Sequence, residues 1–363
     1  MKCPEKLNVS ALADWYLKYH RDLPWRRLNS DAYSIWVSEI MLQQTQVSTV
    51  IPYFKRWLER FPDVKTLAEA QQEEVLLYWA GLGYYARARN MHSAAIEIMQ
   101  RHAGLIPRAF SDLLSLPGIG RYTAGAILST AYDLPYPSLD VNVNRVLCRV
   151  YALIGDPAKP DNRNTLEDIM FGTFKDSKYP PSIINQGLME LGALICKAHD
   201  PACERCPLLP HCRAGNTPDP TDWPQLPAGI RQVQETHCCL MLLHGLYTTK
   251  YLMLLRPPHG LWGGLWEFPR AVCFRGETPE ECAVRAAEDL GLKVTLGARL
   301  GMIKHQVTHH AITLYAYQAE LYDETHPLAD HAFYADSRWV VRSEMEYLPL
   351  AAPQREIATR LLI

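Results

Sequence analysis

The feature that most constrains this chain is a group of four cysteines near the middle of the sequence. Cys196, Cys203, Cys206 and Cys212 follow one another with the spacing C-x6-C-x2-C-x5-C. Such short spacings allow four thiolates to meet at one centre, which favours a tetrahedral zinc ion or a 4Fe-4S cluster over disulfide bonds. The spacing alone leaves zinc and iron–sulfur equally open.

The cysteines lie at the end of a long stretch with helical patterning. From Val9 to about Cys212, apolar residues recur at helical spacing, and short turns with proline or glycine separate the segments. This pattern predicts an all-helical domain over residues 1–215. The next stretch is rich in proline and poor in apolar residues, which is typical of an extended linker, and we place this linker at residues 216–235.

The chain beyond the linker contains the apolar runs of β-strands. HCCLMLL and YLMLL flank the turn-like segment HGLYTTK, and further strand-like runs lie at Ala311–Ala319 and Trp339–Val341. A helical pattern extends from Pro279 to Leu290. Residues 236–363 are therefore predicted to form an α+β domain.

Charge and hydropathy place few limits on the partners of the chain. The net charge of −2 neither supports nor excludes nucleic acid, because a small footprint can rely on backbone amides and a few arginines. No apolar run reaches the roughly 18 residues of a membrane helix, and the first residues lack a signal-peptide pattern. We therefore expect a cytoplasmic, monomeric protein without a membrane partner.

A tight turn separates two helical patterns in SDLLSLPGIGRYTAGAILS. Gly118 and Gly120 allow the backbone to turn and leave N–H groups free to approach a phosphate. Contacts of this kind bind nucleic acid without reading its sequence. An ordinary turn between core helices has the same composition.

Two acidic residues stand within or beside apolar helical patterns. Glu39, in IWVSEIMLQQTQV, lies in a strongly apolar helical pattern, and burial there would raise its pKa. Asp140 immediately precedes a helical pattern with one apolar face. An exposed helical glutamate and a helix-capping aspartate are the ordinary interpretations of these two residues.

These segments together resemble the MutY type of adenine DNA glycosylase, a branch of the endonuclease III superfamily of helix-hairpin-helix, iron–sulfur enzymes. WVSEIMLQQTQV, LPGIG and the cysteine spacing carry the resemblance, and they occur in the order of the family. The resemblance implies that Glu39 protonates the adenine ring, that Asp140 stabilises positive charge on the deoxyribose, and that the four cysteines hold a 4Fe-4S cluster. Asn142 is kept beside Asp140, whereas Val141 stands where the family has glycine.

One position separates the two nearest branches of this superfamily. Bifunctional relatives of endonuclease III carry a lysine nucleophile in the hairpin, and this chain has Tyr122 there. The resemblance therefore implies a monofunctional enzyme with Glu39, Asp140, Tyr122 and Asn142 as catalytic residues. As a purely structural residue, Tyr122 would pack in the core.

The resemblance also implies contacts with an extruded base. Gln44 and Tyr84 would enter the duplex near that base, and Arg26 and Gln186 would lie near the adenine pocket. Each of these residues also has a plain interpretation as a packed or solvated side chain.

The segment from Gly260 to Leu292 resembles the Nudix region of MutT-like proteins, whose glutamates hold divalent metal for nucleotide hydrolysis. Glu277 and Arg285 keep the Nudix spacing, but Ala271 and Ala286 replace required residues and the motif is one residue short. The resemblance therefore implies a Nudix-like recognition domain rather than a hydrolase.

A loop that contacts 8-oxoguanine in the family aligns with Val307, Thr308 and His309. Thr308 and His309 are expected to contact the lesion, whereas Val307 lacks the aromatic side chain of the family. The structural alternative is a polar turn of a β-hairpin.

The sequence as a whole predicts an all-α helix-hairpin-helix glycosylase domain with a 4Fe-4S cluster, followed by an α+β Nudix-like domain. The resemblance implies base excision repair, with removal of adenine mispaired with 8-oxoguanine or guanine in double-stranded DNA, at the nucleoid. The alternatives are a bifunctional lyase, opposed by Tyr122 and the second domain, and a non-catalytic iron–sulfur DNA-binding protein. Glu39 and Asp140 oppose this second alternative.

Overall fold

The computed structural model describes five stretches of the chain, which are residues 6–27, 31–227, 232–244, 249–322 and 333–361. The chain folds as two compact units. The first unit comprises Met1–Glu69 and Ser93–Ala228, and the second comprises Ala70–His92 and Gly229–Ile363. The boundaries at residues 215 and 235 suggested by the sequence stay a prediction.

The described chain before residue 228 contains helices and no strand, which confirms the all-helical prediction. The α-helices are α1 (Val9–Tyr19), α2 (Ala32–Leu42), α3 (Val47–Arg60), α4 (Val64–Glu69), α5 (Gln72–Trp79), α6 (Ala86–Arg101), α7 (Phe110–Ser115), α8 (Arg121–Tyr132), α9 (Val141–Tyr151), α10 (Pro160–Asp176) and α11 (Pro181–Leu194). Short 3-10 turns lie at Pro24–Arg26, Cys203–Arg205, Leu209–His211, Ala214–Asn216 and Pro220–Asp222.

Local sequence accounts for the two helices that matter most for the site. α2 begins after Asp31, whose side chain accepts a hydrogen bond from the backbone N–H of Ser34 at 2.8 Å. This bond satisfies one of the unpaired donors of the first helical turn. Residues 33–41 of α2 are all buried, which explains a helix that is apolar on nearly every side.

α9 forms part of the core of the first unit. Its apolar residues Val143, Val146, Leu147 and Val150 are buried, as the helical spacing predicted. α11 packs against α1, α8 and α9, and α2 packs against α8 and α3. Burial of each such aliphatic side chain contributes about 1.5–3 kcal/mol to the free energy of unfolding.

The start of the proline-rich stretch is held against the first unit. Its single turns end near Trp223, which is partly buried against the core. The Trp223 carbonyl accepts a hydrogen bond of 3.0 Å from Nε of Arg149. An aromatic residue among prolines therefore anchors a segment whose composition alone is typical of an extended spacer.

The second unit contains a mixed seven-stranded sheet. Its strands are β1 (Val233–His244), β2 (Lys250–Leu255), β3 (Trp266–Glu267), β4 (Arg270–Val272), β5 (Val294–Val307), β6 (His310–Leu321) and β7 (Asp336–Val341). The order is β3-β2-β1-β6-β5, with β4 paired to β1 and β7 paired to β2. Only β1 and β6 pair in parallel within the described strands; the other pairs are antiparallel.

One helix of the second unit covers part of this sheet. α12 (Pro279–Glu288) begins with a capping box between Thr278 and Glu281, and it packs against β1. This helix and the strands β1, β2, β6 and β7 confirm the predicted α+β character. Residues 245–248 of the predicted turn HGLYTTK lie outside the described residues.

The long strand β5 was not predicted from the sequence. It contains Gly297 and Gly301, and its pairing with β6 is irregular between Leu296 and Gly301. Glycine and a bulge weaken the alternating pattern by which strands are recognised. Among the described residues, no helix is long and apolar enough to cross a membrane.

Candidate active site

Glu39 is a buried carboxyl group on α2, with a relative exposure of 5%. Burial raises its pKa from 4.5 to about 7. The negative field of Asp140 also raises this pKa, whereas the hydrogen bond from Tyr122 and the charge of Arg26 lower it. A carboxyl group with a pKa near 7 can keep its proton at neutral pH, unlike an ordinary glutamate.

Tyr122 lies on the first turn of α8 and faces Glu39. Its hydroxyl donates a hydrogen bond of 2.6 Å to Oε2 of Glu39. Burial raises the pKa of Tyr122 well above its ordinary value, and the carboxyls of Glu39 and Asp140 raise it further. The tyrosine therefore stays protonated and fixes one oxygen of the glutamate.

Asp140 is the N-cap of α9. One carboxyl oxygen accepts a hydrogen bond from the backbone N–H of Val143 at 2.7 Å, and the other accepts from Nδ2 of Asn142 at 2.9 Å. Burial raises the pKa of Asp140, and these two hydrogen bonds oppose the rise. The capping interpretation of Asp140 is therefore correct in the structure, and it leaves the carboxylate beside Glu39 and Tyr122.

Asn142 is itself held in place. Its Oδ1 accepts a hydrogen bond of 2.8 Å from Nη2 of Arg145, which also donates to the carbonyl of Gly192 on α11 at 2.8 Å. A Cβ at Gly192 would lie 2.7 Å from Cβ of Asn142, so only glycine permits this approach of α11 to α9. The start of α9 is therefore held by the hydrogen bonds of Arg145 and by the close approach of α11.

Arg26, whose charge acts on Glu39, is hydrogen-bonded to Gln186. Nε of Arg26 donates a hydrogen bond of 2.9 Å to Oε1 of Gln186, which is buried rather than solvated. Nη2 of Arg26 pairs with Glu190 at 2.9 Å, and the Nη1 atom is buried without a hydrogen-bond partner among the described residues. Arg26 thus has a donor free for a ligand.

Glu190 is a residue that the sequence analysis did not identify. It is fully buried on α11 and binds Arg21 at 2.8 Å as well as Arg26. Burial alone would raise its pKa, but the hydrogen bonds from both arginines lower the pKa to about 2. A glutamate among the apolar residues of NQGLMELGAL is the same signal that identified Glu39.

The hairpin between α7 and α8 presents backbone to solvent. Gly118 and Gly120 are exposed, and Gly118 has a φ of +77°, which favours glycine. Gly120 is the residue before α8, where backbone N–H groups are unpaired. The turn therefore presents backbone N–H groups at a helix N-terminus.

Gln44 and Tyr84 share an unusual backbone conformation. Gln44, just after α2, has a φ of +55°, and Tyr84, just before α6, has a φ of +48°. Both side chains are exposed. Non-glycine residues in the left-handed region are uncommon and concentrate at functional sites.

The four clustered cysteines line one small cavity together with Arg149. Nη1 of Arg149 lies 3.4 Å from Sγ of Cys196, and the backbone N–H of Gly215 lies 3.3 Å from Sγ of Cys212. No three of the four sulfurs lie mutually within 4.8 Å, although all four belong to the described residues. Two sulfurs on one zinc ion are about 3.8 Å apart, and no three of these sulfurs approach one another that closely.

The Nudix-like helix keeps a fragment of the Nudix motif. Arg285 on α12 pairs with Glu277 at 2.8 Å, and Ala271 and Ala286 are buried in the apolar core. Within the described residues, no three carboxylates of the second unit bring oxygens within 4.8 Å of one another.

Thr308 and His309 form the turn between β5 and β6. Thr308 is exposed with a φ of +53°, and its hydroxyl donates to the Val307 carbonyl at 2.7 Å. Thr308 and Tyr84 line the same cavity of about 320 Å³, together with Trp262. The structure therefore brings together two of the predicted base-contacting residues within the second unit.

Comparison with known proteins defines the class of this chain. Residues 37–170 match the HhH-GPD superfamily of base excision DNA repair proteins, and residues 241–360 match the NUDIX domain. The structure of a thermostable thymine-DNA glycosylase is similar, with 25% identity and a TM-score of 0.51 over 56% of this chain and 93% of that chain. The fold of the first unit is that of a helix-hairpin-helix base excision DNA repair protein.

Relatives narrow this class to one family. The human adenine DNA glycosylase is 32% identical over 96% of this chain and 72% of the human protein. The adenine DNA glycosylase of Mycolicibacterium smegmatis is 43% identical over 57% of this chain and 69% of that protein. The chain belongs to the adenine DNA glycosylase family. The family, the fold and the class of enzyme inferred from the sequence are thereby confirmed.

Proposed function

We propose that this enzyme hydrolyses the N-glycosidic bond of an adenine that faces 8-oxoguanine or guanine in double-stranded DNA at the nucleoid. The observation that carries the proposal is the Glu39 carboxyl, buried and bonded to Tyr122, with a pKa raised to about 7 beside Asp140. A carboxyl of this kind protonates a leaving group at neutral pH. A purine base is such a leaving group when a ring nitrogen accepts the proton.

Glu39 and Asp140 are proposed to have different roles in the reaction. The adenine leaves the base stack and enters the site. Glu39 gives its proton to a ring nitrogen, and the bond from C1′ to the base breaks with its electrons on adenine. Asp140, ionised, stabilises the positive charge on the sugar, and water adds its hydroxyl at C1′ while its proton restores Glu39.

Arg26 and Gln186 are proposed to bind the base. The unpaired Nη1 of Arg26 supports this role, because a buried donor without a partner costs about 1–3 kcal/mol unless a ligand supplies an acceptor. Glu190 and Gln186 hold the guanidinium in place. Asn142 is proposed to orient Asp140 through the hydrogen bond between their side chains.

Four further residues are proposed to hold the duplex. The exposed backbone of Gly118 and Gly120 would contact phosphate, which gives a grip independent of sequence. Gln44 and Tyr84 would enter the duplex beside the extruded base. Their exposure and their left-handed backbone support this placement.

A 4Fe-4S cluster is proposed to bind Cys196, Cys203, Cys206 and Cys212. The common cavity supports a shared ligand, and the failure of any three sulfurs to lie within 4.8 Å of one another supports a cluster over a single zinc ion. When bound, the cluster would cross-link the end of α11 to the turns that follow it. Protein prepared without oxygen should contain about four irons per chain, whereas zinc without iron would contradict this assignment.

The second unit is proposed to recognise the base opposite adenine. The cavity shared by Tyr84 and Thr308 supports this role, since its volume falls in the range of small-molecule pockets. The broken Nudix motif, with Ala286 in place of a glutamate and one residue missing, leaves binding rather than hydrolysis as the task of this fold. His309, in the same turn, is proposed as a second contact.

The presence of Tyr122 at the hairpin position predicts the reaction product. A phenol in place of the hairpin lysine forms no Schiff base, so the product should be an intact strand with an abasic site that breaks only after added alkali. Strand breaks without alkali, together with borohydride trapping as fast as base release, would contradict the monofunctional reaction. An intact substrate strand after alkali would contradict the proposed function itself.

A further inference from the structure

A second group of cysteines lies in the sheet unit, far along the chain from the four described above. Cys238 is on β1, Cys273 follows β4, and Cys282 is on α12. Their three sulfurs all lie within 4.8 Å of one another, and those of Cys238 and Cys273 are 3.6 Å apart. Three segments that are distant in sequence therefore bring their thiols to one point.

The spacing of these sulfurs is that of ligands on a single ion. A zinc–thiolate bond is about 2.3 Å long, which places two sulfurs on one tetrahedral ion about 3.8 Å apart. The four-cysteine group of the first unit does not meet this criterion. The two groups of cysteines therefore differ in how closely their sulfurs approach one another.

The surroundings of the three thiols give an ion a path to them and place one positive charge beside them. Cys238 and Cys282 are fully buried, and Cys273 is partly exposed, which gives a path for an ion. Nη2 of Arg285 lies 3.7 Å from Sγ of Cys282, so a positive charge offsets part of the negative charge.

We propose that Cys238, Cys273 and Cys282 bind one thiophilic divalent cation, of which Zn²⁺ is the physiological example. No fourth histidine, cysteine or carboxylate joins the group among the described residues, so water would complete the coordination on the side of Cys273. The ion would fasten α12 and the end of β4 to β1. This site does not depend on the proposed glycosylase reaction.

Cys239 provides a matched control on the same strand. It is also fully buried, but successive residues of a strand point to opposite faces, and its thiol contacts the Tyr315 carbonyl at 3.6 Å. Cys239→Ala therefore removes a buried thiol of the same strand without touching the proposed site. The four cysteines of the first unit stay intact in every variant.

The test is retention of Cd²⁺ by the reduced, full-length protein after gel filtration. The parent and Cys239→Ala should retain roughly one cadmium ion per chain more than Cys282→Ala or Cys273→Ser, with the matching ultraviolet thiolate absorption. Iron content should be equal in all four proteins. Because Cys273 is partly exposed, Cys273→Ser decides the question if Cys282→Ala fails to fold.

Equal cadmium in all four proteins would overturn the proposal. The same conclusion would follow if alkylation of the untreated protein revealed a disulfide between Cys238 and Cys273 and the reduced protein retained no cadmium through them. Retention of about one Zn²⁺ per chain by the parent and Cys239→Ala, and not by Cys273→Ser, supports the assignment of zinc. A parent that retains cadmium but no more zinc than Cys273→Ser would contradict the choice of ion.

Discussion

Glu39 is held in an environment that opposes its ionisation. The same burial that raises its pKa to about 7 supplies the proton for the proposed reaction. Because the folded state binds this proton more tightly than the unfolded chain does, Glu39 stabilises the fold at low pH. This contribution is complete below the ordinary pKa of 4.5 and is lost as the pH rises through about 7.

Glu39→Gln should therefore stabilise the protein at alkaline pH. The amide keeps an acceptor for Tyr122 and carries no charge, so we expect the free energy of unfolding to rise by on the order of 2 kcal/mol near pH 8 and by much less near pH 5. Thermal melts at the two pH values measure the difference. Glu59→Gln, at an exposed position of α3, makes the same change in charge as a control. A gain that does not vary with pH would contradict the assigned pKa.

Asp140 combines a structural and a proposed chemical role, and one substitution separates them. Asparagine caps helices about as well as aspartate does, so Asp140→Asn should melt close to the parent. Without the negative charge, we expect single-turnover base release to slow by about 100-fold or more. Circular dichroism melting and excision kinetics on the same preparation provide the comparison. Parental kinetics would show that Asp140 is a cap alone.

The close approach of α9 and α11 positions this aspartate. A methyl group at Gly192 would meet Asn142 at 2.7 Å from its Cβ and 3.0 Å from its carbonyl oxygen. The helices must therefore separate if residue 192 has a side chain. The bond from Arg145 to the Gly192 carbonyl depends on the same approach.

Gly192→Ala should displace the first turn of α9 and slow base release. We expect a loss of about 1–3 kcal/mol in the free energy of unfolding, the usual effect of overpacking. Gly172→Ala is the control, since Gly172 is an exposed residue of α10 with no atom within 4 Å of an added Cβ. That change should stabilise the helix by about 0.5–1 kcal/mol. If Gly192→Ala and Gly172→Ala changed base release and stability equally, the contact between α9 and α11 would not position Asp140.

The elements that the sequence predicted are those with strong local signals. α9 has a capping aspartate and one apolar face, and α12 has a capping box. β5 lacked such a signal because glycines and a bulge interrupt it. The pairing of Glu190 with Arg21 and Arg26 is a contact between residues far apart in sequence, so no local pattern indicated it.

At the scale of the whole molecule, helical periodicity did not indicate to which unit a segment belongs. Residues 70–92 belong to the helical stretch by their periodicity, yet they fold with the sheet unit. Trp266 donates a hydrogen bond of 2.7 Å to Glu73, and Arg89 donates one of 2.5 Å to the Gly263 carbonyl. Recognition by the second unit is therefore better tested by point changes in the full chain than by removing residues after 230.

The preference for adenine opposite 8-oxoguanine should depend on the turn between β5 and β6. For Thr308→Ala and His309→Ala, we expect the ratio of excision rates for the 8-oxoguanine and guanine mispairs to narrow several-fold, since a lost hydrogen bond is worth on the order of 1 kcal/mol. Excision opposite guanine should change little. Thr295→Ala, an exposed position on the same hairpin, is the control. An unchanged ratio in both turn variants would assign recognition elsewhere.

Single-turnover release of adenine by Glu39→Gln is the most direct test of the proposed mechanism. The substrate is a duplex with one adenine opposite 8-oxoguanine, and binding is measured on the same duplex. We expect the parent to release adenine, and we expect Glu39→Gln to bind with similar affinity but to release the base about 10²–10⁴-fold more slowly, because the proton donor is gone. Release by Glu39→Gln at close to the parental rate would contradict the account.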